Sequence, residues 1–164
     1  DKFTEDYINK LSTHEIRNTK IIIEIKKAME RNDSTLVFAT SIQHGIILKI
    51  LLDQPINGIH SECIFGDTDP NIRQKYIDDF KSGELKVLIN YSILTTGFDA
   101  PIIQTLVIAR PTLSIVLYSQ MLGRALRGPE MGGISETNTV VDLVDNYRQL
   151  GTVRSAFSHF NEFY

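Results

Sequence analysis

From residue 35 onward the chain repeats one pattern: a short apolar run, a turn or cap signal, then a longer segment that fits a helix. The apolar runs are Thr35 to Ala39, Ser61 to Phe65, Lys86 to Asn90, Gln104 to Ala109 and Thr139 to Leu143. Runs of this length bounded by turn residues read as buried strands. Between them, Thr40-Ser41 can cap a helix from Ile42 to Leu52. Asp69-Pro70 joins a cap to a proline at the first helical position, starting a helix that closes near Gly83. A further helix containing Gln120 is expected to end near Gly128-Pro129, followed by a turn region over 128–138. A last helix is expected through Tyr147 to Phe160. Short strands alternating with helices imply right-handed crossovers. The expected fold is therefore α/β: a mainly parallel sheet of at least five strands with helices on both faces. In such sheets function collects in the loops at the carboxyl ends of the strands.

Residues 1–33 precede this pattern and read as a polar helical extension, leaving 34–164 for the α/β domain. Ser12-Thr13-His14-Glu15 fits a capping box that opens a helix with Ile16, Ile23 and Met29 facing inward. Ile21, Ile22, Ile23 and Ile25 make this helix sticky, so it is expected to pack on the domain or mark a linker from a preceding one. The start carries neither a methionine nor a charged-then-apolar leader, which predicts a piece of a longer intracellular, cytoplasmic protein.

Composition narrows the function classes. At 164 residues, with 42% hydrophobic and 23% charged, the chain fits one ordinary globular domain. No apolar run approaches a membrane span, and Lys49 interrupts Ile46 to Leu52, so no membrane partner is expected. A net charge of −3 argues against a strongly basic nucleic-acid-coating protein. It leaves room for local phosphate contacts through backbone N–H groups, hydroxyls and a few arginines. The single cysteine, Cys63, lies in an apolar stretch and reads as a buried structural thiol. The four histidines are scattered without ligand spacing, so no metal site is expected.

Chemistry is concentrated at three strand ends and on one helix. Thr40-Ser41 places hydroxyls at a helix N-terminus, where orphan N–H groups favour an anion; a plain N-cap explains the same residues. Gly66-Asp67-Thr68 fits a simple turn. The loop Ile93 to Pro101 mixes Thr95 and Thr96 with Gly97, Asp99 and a rigidifying proline. Gly97 would let a backbone approach a ligand, and Asp99 could accept bonds from ribose hydroxyls. On the Gln120 helix, Ile115, Tyr118, Leu122 and Leu126 form an apolar stripe. Gln120, Arg124 and Arg127 share the opposite face, where they can clamp a polyanion such as a triphosphate, or simply cover apolar neighbours with their stems.

A Gly-x-x-x-x-Gly-Lys-Ser/Thr loop does not occur in the sequence, nor does a convincing acidic Walker B strand end, so no complete P-loop nucleotide site is encoded. A Ser/His/Asp order, a nucleophile elbow and paired glycosidase carboxylates are equally indefensible.

Taken in order, these elements resemble the second RecA-like domain of superfamily-two helicases and DNA translocases. Leu36 to Ser41 resembles motif IV, Leu88 through Pro101 motif V, and Gln120-Met121-Leu122-Gly123-Arg124-Ala125-Leu126-Arg127 motif VI. Arg73, Phe80 and Gly83 fall in the familiar pattern between motifs IV and V, and the resemblance spans roughly residues 35–145. Gly-Phe-Asp-Ala-Pro, then Ala109-Arg110-Pro111-Thr112 and the Gln120 helix, is similar to restriction-enzyme translocase subunits and bacterial DNA-repair helicases. DEAD-box RNA helicases match less well.

The resemblance implies a three-layer RecA-like sandwich and a division of labour. Arg127 would be the arginine finger on the γ-phosphate, Arg124 its neighbour or support, and Gln120 would position them. Gly97 and Asp99 would line the ATP side of an interdomain cleft, and Thr40, Ser41, Thr95 and Thr96 would touch a nucleic-acid backbone; the branch resembled makes duplex DNA the favoured substrate. ATP and Mg2+ would sit mainly on a preceding RecA-like ATPase domain, leaving this chain inactive alone. A non-catalytic nucleic-acid-binding scaffold, an RNA helicase domain and an unrelated doubly wound nucleotide-binding domain are the competing readings.

Overall fold

The computed structural model describes residues 3–91, 102–111, 120, 122, 123, 133, 134 and 137–143. Within them the elements run α1 (Glu5–Thr13), α2 (Glu15–Glu30), β1 (Thr35–Phe38), α3 (Ile42–Asp53), β2 (Ser61–Ile64), α4 (Pro70–Ser82), β3 (Val87–Asn90), β4 (Thr105–Ile108) and β5 (Thr139–Asp142). Every strand lies where the apolar runs predict one.

Local chemistry sets the helix ends. Ser41 Oγ accepts from the His44 N–H at 3.0 Å and caps α3. Asp69 Oδ1 accepts from Asn71 and Ile72 at 2.8 and 3.3 Å, Pro70 opens α4, and Gly83 closes it at φ +84°, a conformation open to glycine.

The strands pair in the order β2-β3-β1-β4-β5, all parallel. Alternation along each strand divides the core into two layers. Leu36, Phe38, Ile64, Leu88, Leu106 and Ile108 face Phe80 of α4 and Leu122. Val37, Ala39, Val87, Ile89 and Val107 face Ile21, Ile22 and Ile25 of α2 and Leu48 and Leu52 of α3. Helices thus cover both faces, because parallel strands buried on both sides need partners on both. This is the three-layer α/β arrangement the sequence implies.

The N-terminal helices correct two expectations. Ser12 does not cap α2: its hydroxyl donates to Ile8 O and meets Ser41 Oγ at 3.0 Å, while His14 Nδ1 accepts from Arg17 N–H as the cap. Ile16 and Ile23 are 66% and 45% exposed, whereas Met29, as expected, packs half-buried against the core beside the buried face of Ile21, Ile22, Ile25 and Ala28. The helix is apolar on more than one side, so sequence spacing allowed two orientations. The arginine and asparagine at positions 17 and 18 chose between them, as shown below.

The edge strand β2 is tied down by α3. Lys49 Nζ donates to the Ser61 carbonyl and lies 2.8 Å from Asp53 and 3.4 Å from Glu62, while Asp53 accepts the Ser61 N–H at 3.1 Å. Burial works against the Lys49 charge, yet Asp53 and Glu62 outweigh it and hold its pKa above the usual lysine value. Cys63 is half-buried, its thiol directed at the Gly45 carbonyl at 3.4 Å and pushed up to about 12 by burial, the signature of an unreactive structural cysteine.

Candidate functional site

Because the strands are parallel, their carboxyl ends share one edge of the sheet. Backbone bonds carry the ladder into that edge: Ala39 N–H to Asn90 O at 2.8 Å, Ala109 N–H to Phe38 O at 3.0 Å and Leu143 N–H to Ile108 O at 3.3 Å. The edge therefore presents Thr40-Ser41, Phe65 to Thr68, Tyr91 and Ala109-Arg110 side by side.

Thr40 is not an open hydroxyl. It is 2% exposed and donates to Ala109 O at 2.9 Å, and Arg17 Nη1 lies 3.5 Å from its oxygen. Arg17 Nη2 donates to the same Ala109 carbonyl. The side chain faces inward and braces β1 against β4. Ser41 is half-buried, and its oxygen serves the α3 cap and meets Ser12.

Beneath this brace lies a polar core that sequence reading missed. Thr40 N–H donates to His44 Nδ1 at 3.0 Å, which makes Nδ1 the acceptor and places the ring proton on Nε2. Nε2 then donates to Asn18 Oδ1 at 2.9 Å, and Asn18 Nδ2 donates to Ser12 O at 2.9 Å. Burial first, and the Arg17 charge second, push the His44 pKa down to about 3, so the ring is neutral at physiological pH. Arg17, Asn18 and His44 gave no motif signal, because their partners are distant in sequence.

On the β2 side, Arg73 Nη2 donates to the carbonyls of Phe65, Gly66 and Thr68 at 3.3, 3.2 and 3.1 Å. Thr68 Oγ1 accepts the Phe65 N–H at 2.8 Å and closes the turn. Arg73, Phe80 and Gly83 thereby acquire separate physical jobs: a loop clamp, a fully buried core ring and a left-handed helix stop.

Across the middle of the edge, the Arg110 guanidinium carbon sits 5.2 Å from the centroid of the Tyr91 ring. Tyr91 follows β3 and Arg110 follows β4, with β1 between them, so the pair spans the carboxyl end of β1. Both are half-buried. Their signal in the sequence was position alone, immediately after a strand.

Gln120 is helical and exposed, while Leu122 two residues on is fully buried in the core, the disposition the helical spacing predicts. Arg124, Arg127, Thr95, Thr96, Gly97 and Asp99 lie outside the described residues. Among the described residues no group of three or more His, Cys, Asp or Glu side chains gathers that could hold a metal ion, and no helix is long and apolar enough to cross a membrane.

The family model for the helicase conserved C-terminal domain matches residues 17–129. The chain belongs to that family. This helicase C-terminal domain is 36% identical over 133 residues to the putative ATP-dependent helicase IRC3 of Saccharomyces cerevisiae, covering 77% of the chain and 19% of that protein. It is 38% identical over 94 residues to the type I restriction enzyme EcoKI endonuclease subunit of Escherichia coli, covering 55% of the chain and 8% of the subunit. It is 29% identical over 120 residues to the ATP-dependent RNA helicase DBP2 of Encephalitozoon cuniculi, covering 73% of the chain and 24% of that protein. The domain thus spans about a fifth of the length of its first relatives, 19% of IRC3. Its fold matches S. cerevisiae Dbp5 bound to RNA and ADP BeF3 with a TM-score of 0.69 at 21% identity, covering 87% of the chain and 37% of Dbp5. The architecture is RecA-like, that of the second domain of superfamily-two helicases.

Proposed function

We propose that this domain is the second motor domain of an ATP-dependent helicase or translocase that acts on duplex DNA. The observation that supports the reading is the motif VI segment: Gln120 stands exposed while Leu122 anchors in the core, and by helical spacing alone the positions four and seven residues after Gln120 would share its side of a continuing helix. Arg124 and Arg127 occupy those positions. Arginines supplied from outside the nucleotide's own domain suit phosphoryl transfer, because they add charge only when a cleft closes on the triphosphate.

In this division of labour ATP is the substrate, held with Mg2+ mainly by a first RecA-like domain. Arg127 reaches the γ-phosphate with Arg124 beside it, Gln120 positions them, and Gly97 and Asp99 line the nucleotide side of the cleft. Ser41, Thr95 and Thr96 grip a nucleic-acid backbone without reading sequence. Thr40 acts from behind, by holding the edge in shape. Hydrolysis removes the phosphate that keeps the cleft shut, and alternate closing and opening shifts the strand contacts of the two domains.

Relatedness to a restriction endonuclease subunit supports DNA; relatedness to an RNA helicase favours the second reading, an RNA helicase domain. The test is steady-state ATP hydrolysis by the full-length protein with duplex DNA or RNA added. Arg127→Ala is expected to lower kcat by about 10³-fold or more with nucleotide affinity little changed. The isolated domain is expected to show negligible turnover; robust hydrolysis by it would sink the division of labour. Stimulation by RNA and not by DNA selects the second reading.

A further inference from the structure

The apolar face of α2 does not by itself fix where that helix lies along the sheet. Ile21, Ile22 and Ile25 pack on a broad apolar layer, and hydrophobic contacts of this kind carry no direction. Direction comes from the polar start of the helix, where Arg17 and Asn18 are both buried. Arg17 Nη2 donates to Ala109 O, and Arg17 Nη1 stands 3.5 Å from Thr40 Oγ1. Asn18 Oδ1 accepts from His44 Nε2 at 2.9 Å, and Ser12, near the end of α1, meets Ser41 Oγ at 3.0 Å. Buried groups of this polarity tolerate little displacement, because a donor moved off its acceptor in a dry interior loses the bond and regains no water.

These contacts converge on the Ala109 carbonyl. It accepts from Arg17 of α2 and from Thr40 at the end of β1, two donors on one oxygen. Thr40 belongs to the motif IV segment, and the chain leaving Ala109 continues to the motif VI segment at Gln120. On the motor-domain reading a first RecA-like domain lies upstream, so α1 and α2 stand between it and the sheet. One guanidinium thus joins an entry helix to the carboxyl ends of β1 and β4.

We propose that Arg17 is a positioning residue for ATP hydrolysis: by seating α2 on the Ala109 carbonyl, it holds the ends of β1 and β4 in the alignment from which the motif VI segment serves the nucleotide. It rests on the motor-domain reading, and it adds a residue outside motifs IV, V and VI that acts through the backbone and touches neither ligand.

The experiment measures steady-state ATP hydrolysis by the full-length protein, saturated with a duplex DNA or an RNA oligonucleotide. The readouts are the KM for ATP and kcat per folded molecule, with the folded fraction taken from circular dichroism. Arg17→Met keeps the stem and removes the donors. It is expected to lower kcat by about tenfold to a hundredfold, the scale of a small misplacement far from the chemistry, with the KM for ATP unmoved. Arg17→Lys, which returns the charge without the fork, is expected to recover part of that loss. Thr40→Val removes the other donor to the Ala109 carbonyl and should lower kcat in the same way. Because both side chains act on one oxygen, the double variant should lose less than the product of the two single losses. Ile25→Ala serves as the control: it loosens the apolar face of α2 and lowers thermal stability, while its kcat per folded molecule stays at the wild-type level.

Should Arg17→Met fail to fold, Arg17→Lys and Thr40→Val carry the test. In folded variants of an active protein, kcat at the wild-type level, a rise in KM with kcat kept, or a fall that Ile25→Ala reproduces each overturn the assignment and leave the motor reading standing. A wild-type protein that hydrolyses no ATP with either oligonucleotide overturns both.

Discussion

His44 Nε2 donates to Asn18 Oδ1 at 2.9 Å, and this contact joins the helix after β1 to the helix that precedes the sheet. Both ring nitrogens are committed, one as acceptor from Thr40 N–H and one as donor to Asn18. Adding a proton to Nδ1 would set two donors against each other at the root of the carboxyl edge. The neutral ring is thus a structural requirement of the edge on which Thr40, Ala109 and Arg110 sit.

Acid sensitivity follows from that ring. The His44 pKa falls from 6.5 in the unfolded chain to about 3 in the folded one. As pH drops below the higher value, the unfolded chain takes a proton that the folded state refuses. Stability is therefore full above that value and declines toward the lower one, by up to about 1.4 kcal/mol per pH unit. Denaturant midpoints of the domain measured between neutral pH and about pH 4 should show this slope. His44→Gln should be less stable at neutral pH and flatter toward acid; an unchanged slope would remove His44 as its source.

Gly45 sets how closely α3 approaches β2. A Cβ there would lie 2.9 Å from both Cε1 and Cζ of Phe65 and 3.4 Å from Ile89 Cγ2. Phe65 is buried at the root of the β2 loop and has little room to yield. Gly45→Ala should cost about 1–3 kcal/mol in strain, offset by roughly 1 kcal/mol of helix propensity. A net loss of about 1 kcal/mol is expected by chemical denaturation. Adding Phe65→Leu should remove part of the alanine's penalty, since the clashing ring is gone. Additive losses would contradict the steric account.

Lys49 guards the β2 edge. It donates to the Ser61 carbonyl and pairs with Asp53 and Glu62, closing backbone groups that an edge strand leaves open. Lys49→Ala should destabilise the domain by about 1 kcal/mol, discounted for screening because the side chain is partly exposed. The domain should also begin to self-associate as its concentration rises, read by light scattering. Monomeric behaviour at the wild-type level would show that the edge needs no such cover.

Much of the fold was legible because its signals are local. Ser41, Asp69-Pro70 and Gly83 mark helix ends through hydrogen bonds and backbone angles that depend on a few neighbouring residues. The strands β1, β3 and β4 stand out as short apolar runs because each is buried along its whole length, on both faces. The disposition of Gln120 and Leu122 followed from helical geometry alone.

What the sequence could not decide was which of several apolar or polar faces a partner would claim. Ile16 and Ile23 stay exposed because Arg17 and Asn18 turn toward the sheet end, where Ala109 and His44 receive them. Thr40 looked like an available hydroxyl until β4 brought Ala109, 69 residues away, to accept it. Arg110 and Tyr91 gained their partnership only when β1 inserted between β3 and β4. Local spacing therefore determined the strands, the caps of α3 and α4 and the family motifs of this chain. Tertiary structure decided strand order, helix orientation and the use of each polar group, because a buried donor or charge must be satisfied by whatever the fold delivers to it.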